Sequence, residues 1–131
     1  TMERYPNIRY ILAHAGGTFP YLPMRLQLAG MELPGLADRA PKGVMHYLQQ
    51  LYVDTALSTH DATMAAVHAL LPADHVLFGS DWPMVPEAAV QYETRFLEGS
   101  GVIDAAQQRR IDRDNALALF PRFAQATQQV A

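Results

Sequence analysis

Along the chain, short runs of apolar residues alternate with longer segments in which apolar residues recur at helical spacing. The runs at residues 8–14, 51–56 and 76–79 are rich in β-branched or aromatic side chains, which is typical of buried parallel strands. Between and after them, apolar side chains recur every three or four positions and predict amphipathic helices. The predicted order is strand, helix, loop, short helix, strand, helix, strand, helices. This order indicates an α/β fold with parallel strands joined by right-handed crossovers.

Local signals set the expected helix boundaries in the first half of the chain. We expect a helix with Thr18 as its N-cap and Pro20 in its first turn, ending before Gly30. Residues 31–42 contain two prolines, a glycine and several charges, so they predict a loop. Residues 43–50 then predict a short helix.

The second half of the chain carries the strongest helical pattern. Ser58 and Asp61 resemble a capping box for a helix that runs to about Leu71. The positions that follow the i, i+3, i+4, i+7 rule in this helix are Met64, Val67, His68 and Leu71. A later helix is expected from Pro86 to near Gly99. Asp104 is expected to cap the next helix, and residues 115–120 to form a packing helix.

Composition restricts the classes of ligand. The 131 residues are 50% hydrophobic and 18% charged, which suits one domain or part of one. With a net charge of −3 and scattered basic residues, we expect no nucleic-acid or membrane partner, and a small molecule as substrate. The absence of cysteine and of an apolar span or signal segment leads us to expect a cytoplasmic protein.

Two side chains that can bind metal stand at the predicted ends of strands. Asp81 follows the third apolar run, and His14 follows the first, directly before Ala15-Gly16-Gly17. The C-terminal ends of parallel strands share one edge of a sheet, where ligands collect. Alone, Asp81 fits a turn cap and His14 a buried structural histidine. Their pairing favours one site, and without cysteine a metal such as zinc would be held by histidine and carboxylate.

Other candidate residues are weaker. We interpret His46, His68 and His75 as structural or surface residues. Asp54 and His60 lie at or just after the second strand, but helix capping explains that region. Two aromatic residues near the strand ends, Phe19 and Trp82, are candidates for lining a substrate pocket, with loop packing as the open alternative.

Three motifs together resemble one known family. Residues 11–20 (ILAHAGGTFP) resemble the sixth-strand motif, residues 76–83 (VLFGSDWP) the eighth-strand motif, and residues 114–120 (DNALALF) the C-terminal helix of the amidohydrolase-related family of aminocarboxymuconate-semialdehyde decarboxylase type. The resemblance runs nearly end to end. It implies the last three strand-helix units of a (β/α)8 TIM barrel with a divalent metal, usually zinc, at its C-terminal mouth.

By this resemblance Asp81 is the last-strand aspartate that binds metal and engages its water, and His14 is the sixth-strand acid/base. The implied chemistry is decarboxylation, hydration or hydrolysis of a small carboxylated or cyclic substrate. The family's first-strand His-x-His pair and fifth-strand histidine have no counterpart, and a barrel typically needs about 250 residues. We therefore expect residues 1–131 to be a single incomplete domain, cut from a longer protein.

Two functions follow from this expectation. The first is the C-terminal part of a metal-dependent enzyme that is a hydrolase or a carboxy-lyase. The alternative is a catalytically inactive barrel fragment with a structural, self-associating role. In either case exposed sheet edges predict a homo-oligomer.

Overall fold

The structure is a computed structural model and describes residues 1–127. Its strands are β1 (Ile11–Leu12), β2 (Tyr52–Asp54) and β3 (Val76–Leu77). They form one parallel sheet in the order β1-β2-β3, in which Ile11 pairs with Tyr52 and Val53 pairs with Val76. The predicted three parallel strands are confirmed. Each strand is shorter than its apolar run, and the first run ends in a turn, since His14 already has a positive φ of 56°.

Eight α-helices follow and connect the strands within the described residues. They are α1 (Pro23–Glu32), α2 (Leu36–Arg39), α3 (Val44–Leu48), α4 (Asp61–Leu70), α5 (Glu87–Glu98), α6 (Ala105–Arg109), α7 (Asn115–Leu119) and α8 (Pro121–Thr127). A π-helical turn, Arg110–Asp114, joins α6 to α7. The expected loop at residues 31–42 contains the additional single turn α2. None of the helices in this part of the chain combines the length and apolar character needed to cross a membrane.

The predicted start of the first helix at Thr18 was wrong. Helix α1 begins at Pro23 instead, after a 3₁₀ turn at Phe19–Tyr21, and the Thr18 side chain caps neither. Proline at the first helical position lacks the N–H that would otherwise have no partner, so Pro23 favours a start there. The helix also continues through Gly30, where a Cβ would lie 3.5 Å from Val44.

The predicted capping role of Ser58 was also wrong. The N-cap of α4 is His60, whose Nδ1 accepts a hydrogen bond from the Ala62 N–H at 3.2 Å. Asp61 is drawn away towards the loop after α5, where it accepts hydrogen bonds from the Ser100 hydroxyl at 2.6 Å and the Gly101 N–H at 3.1 Å. These bonds, the Ser100 hydroxyl first, lower the pKa of Asp61.

Later boundaries agree with the sequence. Helix α5 begins at Glu87 and is followed by Gly99. Asp104 caps α6 in a complete capping box with Gln107. The start of α6 was predictable because Asp104 and Gln107, the residues that make its cap, lie three positions apart.

The hydrophobic core lies between the sheet and α4. Val53 and Val76 from the strands and Met64 and Val67 from α4 are fully buried, and Leu97 of α5 is 1% exposed. Burying such a side chain contributes about 1.5–3 kcal/mol. The predicted core-facing stripe of α4 is therefore confirmed at Met64 and Val67 and at Leu71, directly after the helix, whereas His68 is half-buried.

Asn115 attaches the C-terminal helices to β3. It is 4% exposed, and its Nδ2 donates hydrogen bonds to the carbonyl oxygens of Ala73 at 2.9 Å and Val76 at 2.8 Å. A buried amide with both donors satisfied fixes the position of the peptides that it contacts. Asn115 thereby positions the start of the strand that leads to Asp81.

Candidate functional site at the C-terminal ends of the strands

Strained backbone residues mark the C-terminal edge of the sheet. His14 and Ala15 follow β1, Leu57 follows β2, and Asp81 follows β3. In residues 1–127 these four are the non-glycine residues with positive φ, between 52° and 57°. Such conformations cost about 1–3 kcal/mol each and concentrate at functional sites. This edge is therefore the candidate site, and it contains both residues predicted from the sequence.

Asp54, the last residue of β2, holds the turn that carries His14. Its Oδ1 accepts hydrogen bonds from the His14 N–H at 2.8 Å and from the Ala56 N–H at 3.1 Å. Gly79 leaves room for this carboxylate, because a Cβ on Gly79 would lie 2.9 Å from the Asp54 Cβ. The role of Asp54 here is to organise the backbone of the site.

The His14 ring is oriented by a backbone carbonyl. Its Nδ1 lies 3.1 Å from the Ala56 carbonyl oxygen. Because a carbonyl oxygen can only accept, Nδ1 carries the hydrogen, and in the neutral ring Nε2 is the unprotonated nitrogen. The geometry therefore leaves Nε2 of His14 as the atom that can accept and release a proton.

Thr55 fixes the chain that leaves β3. This fully buried residue donates a hydrogen bond from its hydroxyl to the Gly79 carbonyl oxygen and accepts one from the Gly79 N–H, both at 3.1 Å. The peptide groups on both sides of Gly79 are thus held by Thr55, the residue directly after β2. As a consequence, the chain two residues before Asp81 is anchored beside the end of β2.

The carboxylate of Asp81 is partly exposed and accepts no hydrogen bond from any residue whose side chain or backbone the structure describes. The following turn is closed instead by the Asp81 main-chain carbonyl, which accepts from the N–H groups of Met84 at 2.8 Å and Val85 at 3.3 Å. The side chain therefore does not act as a turn cap. Both of its oxygens are available to a ligand.

His14 and Asp81 lie on the same edge but follow the two outer strands, with β2 between them. No hydrogen bond or ion pair joins them. Among the described residues, no three side chains of the metal-binding types converge. A tight zinc site usually takes three or four protein ligands, so these two residues alone form part of a site.

The two aromatic candidates differ in their surroundings. Phe19 is 8% exposed and belongs to the hydrophobic core, where it packs under Gly16. Trp82 is 62% exposed beside Asp81. Their assignment to a substrate pocket stays a prediction.

The three histidines interpreted as structural lie away from this edge. His46 is exposed on α3, and His75 precedes β3, where its ring stacks on Tyr52 at 4.1 Å between centroids. His68 is partly buried near the end of α4, and desolvation lowers its pKa, partly opposed by the charge of Asp104.

One residue at the site was missed by the sequence reasoning. Glu93 of α5 is 5% exposed, and its Oε2 accepts a hydrogen bond from the Leu57 N–H at 2.6 Å. The sequence contains a signal for it: Glu93 lies three residues after Val90 and four before Leu97, on the buried face of the helix. An acidic residue in an apolar stripe indicates a specific buried partner.

Comparison with known proteins identifies a matching protein family. The family model described as amidohydrolase matches residues 1–122. The chain is 36% identical over 122 residues to the 6-methylsalicylic acid decarboxylase of Penicillium expansum. That alignment covers 93% of this chain and 37% of the relative. The chain therefore spans little more than a third of the length of this relative.

Solved structures of low identity share the fold. A 2,6-dihydroxybenzoate decarboxylase in complex with 2,6-dihydroxybenzoate matches with a TM-score of 0.76 and 23% identity, over 92% of this chain and 36% of the other. A dihydroxybenzoic acid decarboxylase from Polaromonas sp. JS666, with bound manganese and the inhibitor 2-nitroresorcinol, matches with a TM-score of 0.73 and 24% identity over 92% and 36%. These likenesses confirm the predicted fold class, parallel strand-helix units of a TIM barrel.

Proposed function

The chain belongs to the amidohydrolase family, and we propose that it is the C-terminal part of a metal-dependent decarboxylase of small aromatic carboxylates. The observation that carries the proposal is its 36% identity, across 93% of its length, to a 6-methylsalicylic acid decarboxylase. The position of His14 and Asp81 on one edge of the sheet supports it. The alternative of an inactive structural fragment gains no support from these comparisons, and the relatives named above are decarboxylases rather than hydrolases.

The named substrates of the relatives suggest the substrate class. 6-Methylsalicylic acid and 2,6-dihydroxybenzoate each carry a hydroxyl beside the carboxylate on an aromatic ring. Decarboxylation of such a ring requires a proton on the carbon that carries the carboxylate. The carbon–carbon bond then breaks, its electron pair returns to the ring, and carbon dioxide leaves. The site must therefore bind an anion and hold a proton beside the ring.

The residues of this chain suit those tasks. Nδ1 of His14 is engaged by the Ala56 carbonyl oxygen, so Nε2 is the atom at which this ring takes up or releases a proton. The Asp81 carboxylate is partly exposed and accepts no hydrogen bond from the described residues. We assign Asp81 as metal ligand and proton acceptor and His14 as acid/base.

The donor set also fits a divalent metal. The Asp81 carboxylate is an oxygen ligand that suits manganese or zinc, and the chain has no cysteine that would favour a softer metal. A bound divalent cation supplies positive charge that anchors and polarises an oxygen of the substrate. Manganese is the metal in the Polaromonas structure, and zinc remains our expectation from the sequence resemblance.

A chimera tests the proposal. The aligned segment of the Penicillium expansum enzyme is replaced by this chain, and carbon dioxide release from 6-methylsalicylic acid is measured with bound metal determined in parallel. We expect turnover in the chimera, and its loss in Asp81→Ala, because that change removes a ligand and a proton acceptor together. His14→Ala should reduce turnover more than metal content.

The isolated 131-residue chain is the matched control. With Asp81 as its one assigned ligand side chain, it should bind manganese or zinc weakly in calorimetry and release no carbon dioxide. Stoichiometric tight metal in the isolated chain, or near-normal turnover in the Asp81→Ala chimera, would contradict the assignment.

A further inference from the structure

The peptide group between Ala56 and Leu57 is hydrogen-bonded on both sides. Its carbonyl oxygen accepts from Nδ1 of His14 at 3.1 Å, and its N–H donates to Oε2 of Glu93 at 2.6 Å. The two groups belong to one conjugated, planar unit. We propose that Glu93 is a positioning residue that acts on His14 through this peptide, holding the ring with Nδ1 protonated and Nε2 free.

The charge of Glu93 is what gives the contact this effect. A hydrogen bond to an ionised carboxylate is shorter and roughly twice as strong as one between neutral groups, and 2.6 Å is short for N–H···O. Hydrogen bonds in a chain polarise one another. A carboxylate on the N–H therefore increases the negative charge on the Ala56 oxygen and strengthens the bond from Nδ1 of His14.

Among the described residues, the Leu57 N–H is the one hydrogen-bond partner of the Glu93 carboxylate. The side chain is 5% exposed, and its second oxygen, Oε1, is buried without a hydrogen-bond partner among the described residues. No ion pair in that part of the chain includes Glu93. Burial of a carboxylate with one partner is costly. Polarisation of a peptide at the site gives this cost a functional reason.

The backbone of Leu57 shows that the orientation of this peptide is imposed. Leu57 has a φ of 52°, a conformation that is unfavourable for a branched apolar residue, and its side chain is 54% exposed. Burial of that side chain therefore does not offset the strain. The conformation aligns one peptide so that its oxygen contacts His14 while its N–H contacts Glu93.

The role in catalysis rests on the proposed function, so the test reads the ring of His14 directly. The 131-residue chain is labelled with ¹⁵N at histidine and studied by solid-state NMR, which tolerates self-association, at about pH 8.5, where histidine is normally neutral. The His14 signals are identified by their loss in His14→Gln. We expect the Nδ1–H form to predominate, in contrast to free histidine, in which Nε2–H is favoured.

The variant Glu93→Gln distinguishes polarisation of the Ala56–Leu57 peptide by a charged carboxylate from a simple hydrogen-bonded attachment of α5 to the loop. A glutamine oxygen still accepts from the Leu57 N–H, so the loop stays in place, but the charge is gone. We expect the ratio of Nδ1–H to Nε2–H at His14 to fall roughly threefold to tenfold, as for a charge-assisted bond weakened to a neutral one. In a second sample labelled with ¹⁵N at leucine, the Leu57 amide should exchange slowly with solvent in both the original chain and this variant. Glu98→Gln, an exposed position on the same helix, should leave the ratio unchanged.

The NMR outcomes decide the proposal without any measurement of enzymatic turnover. An unchanged ratio in Glu93→Gln shows that Glu93 only attaches α5 to the loop, and a predominant Nε2–H form in the unaltered chain overturns the proposal without any variant. In the decarboxylase chimera, Glu93→Gln should lower kcat roughly tenfold or more with little change in KM. Failure of the unaltered chimera to release carbon dioxide contradicts the proposed function and leaves the NMR result standing.

Discussion

The Oδ1 atom of Asp54 accepts a hydrogen bond from the backbone N–H of His14 at 2.8 Å, across 40 positions of sequence. Asp54 ends β2 and His14 follows β1, so a side chain of the central strand fixes the turn after its neighbour. The same oxygen binds the Ala56 N–H. Asp54 therefore joins the two segments whose meeting orients the His14 ring.

Asp54→Ala should lower the free energy of unfolding by about 1–3 kcal/mol, because two N–H groups lose a charged acceptor. Denaturant unfolding measures this change. Asp74→Ala, at an exposed position, is the control and should stay within about 0.5 kcal/mol of the original chain. Equal stability of the two variants would show that Asp54 does not hold the turn.

Gly79→Ala should be destabilising by about 1–3 kcal/mol. The added Cβ would lie 2.9 Å from Cβ and 3.0 Å from Cγ of Asp54, so the carboxylate must move away from the His14 N–H. Gly30→Ala is the matched control: its Cβ meets Val44 at 3.5 Å inside a helix, where alanine is favoured by up to about 1 kcal/mol. Thermal unfolding should therefore shift in opposite directions, and a loss of stability in both variants would count against the close-packing argument.

Elements defined by local patterns were predictable from the sequence. The strand at residues 76–77 and the cap at Asp104 depend on residues that lie close together in the chain. Thr18 and Ser58 failed as caps because other groups competed. Pro23 favoured a later helix start, and Asp61 was drawn to Ser100, 39 positions away.

The same difference between local patterns and long-range contacts applies to the candidate site. His14 and Asp81 could be placed on one edge because each follows an apolar run and parallel strands end together. The contacts that orient His14 could not be predicted. They depend on pairings of Asp54 with His14 and of Glu93 with Leu57, which are 40 and 36 positions apart and form only when the strands and α5 have packed.

His68 should make stability depend on pH. Desolvation lowers its pKa from 6.5, and Nε2 is buried without a partner among the described residues. The unfolded chain therefore binds more protons than the folded chain just below pH 6.5. This contribution to stability is fully present above pH 6.5 and is lost as the pH falls through the lower, folded pKa.

His68→Leu should remove that part of the pH dependence and raise stability above pH 6.5 by about 1 kcal/mol, since an unsatisfied buried nitrogen is replaced by an apolar group. Urea unfolding at a series of pH values measures both effects. His46→Gln, at an exposed position on α3, should leave the pH dependence intact. A His68→Leu chain that loses stability on acidification as steeply as the original would contradict the prediction.

The 131-residue chain should self-associate through the edges of its sheet. Within residues 1–127, β1 and β3 each pair with β2 alone, and unpaired strand edges recruit other chains. Ile11 on β1 is 42% exposed, so Ile11→Lys places a charge on that edge and should lower the mass measured by light scattering at tens of micromolar. Met31→Lys, which removes an 84% exposed apolar side chain from helix α1 instead, should leave the mass unchanged. A monomeric original chain, or an equal decrease in both variants, would show that the sheet edges do not drive association.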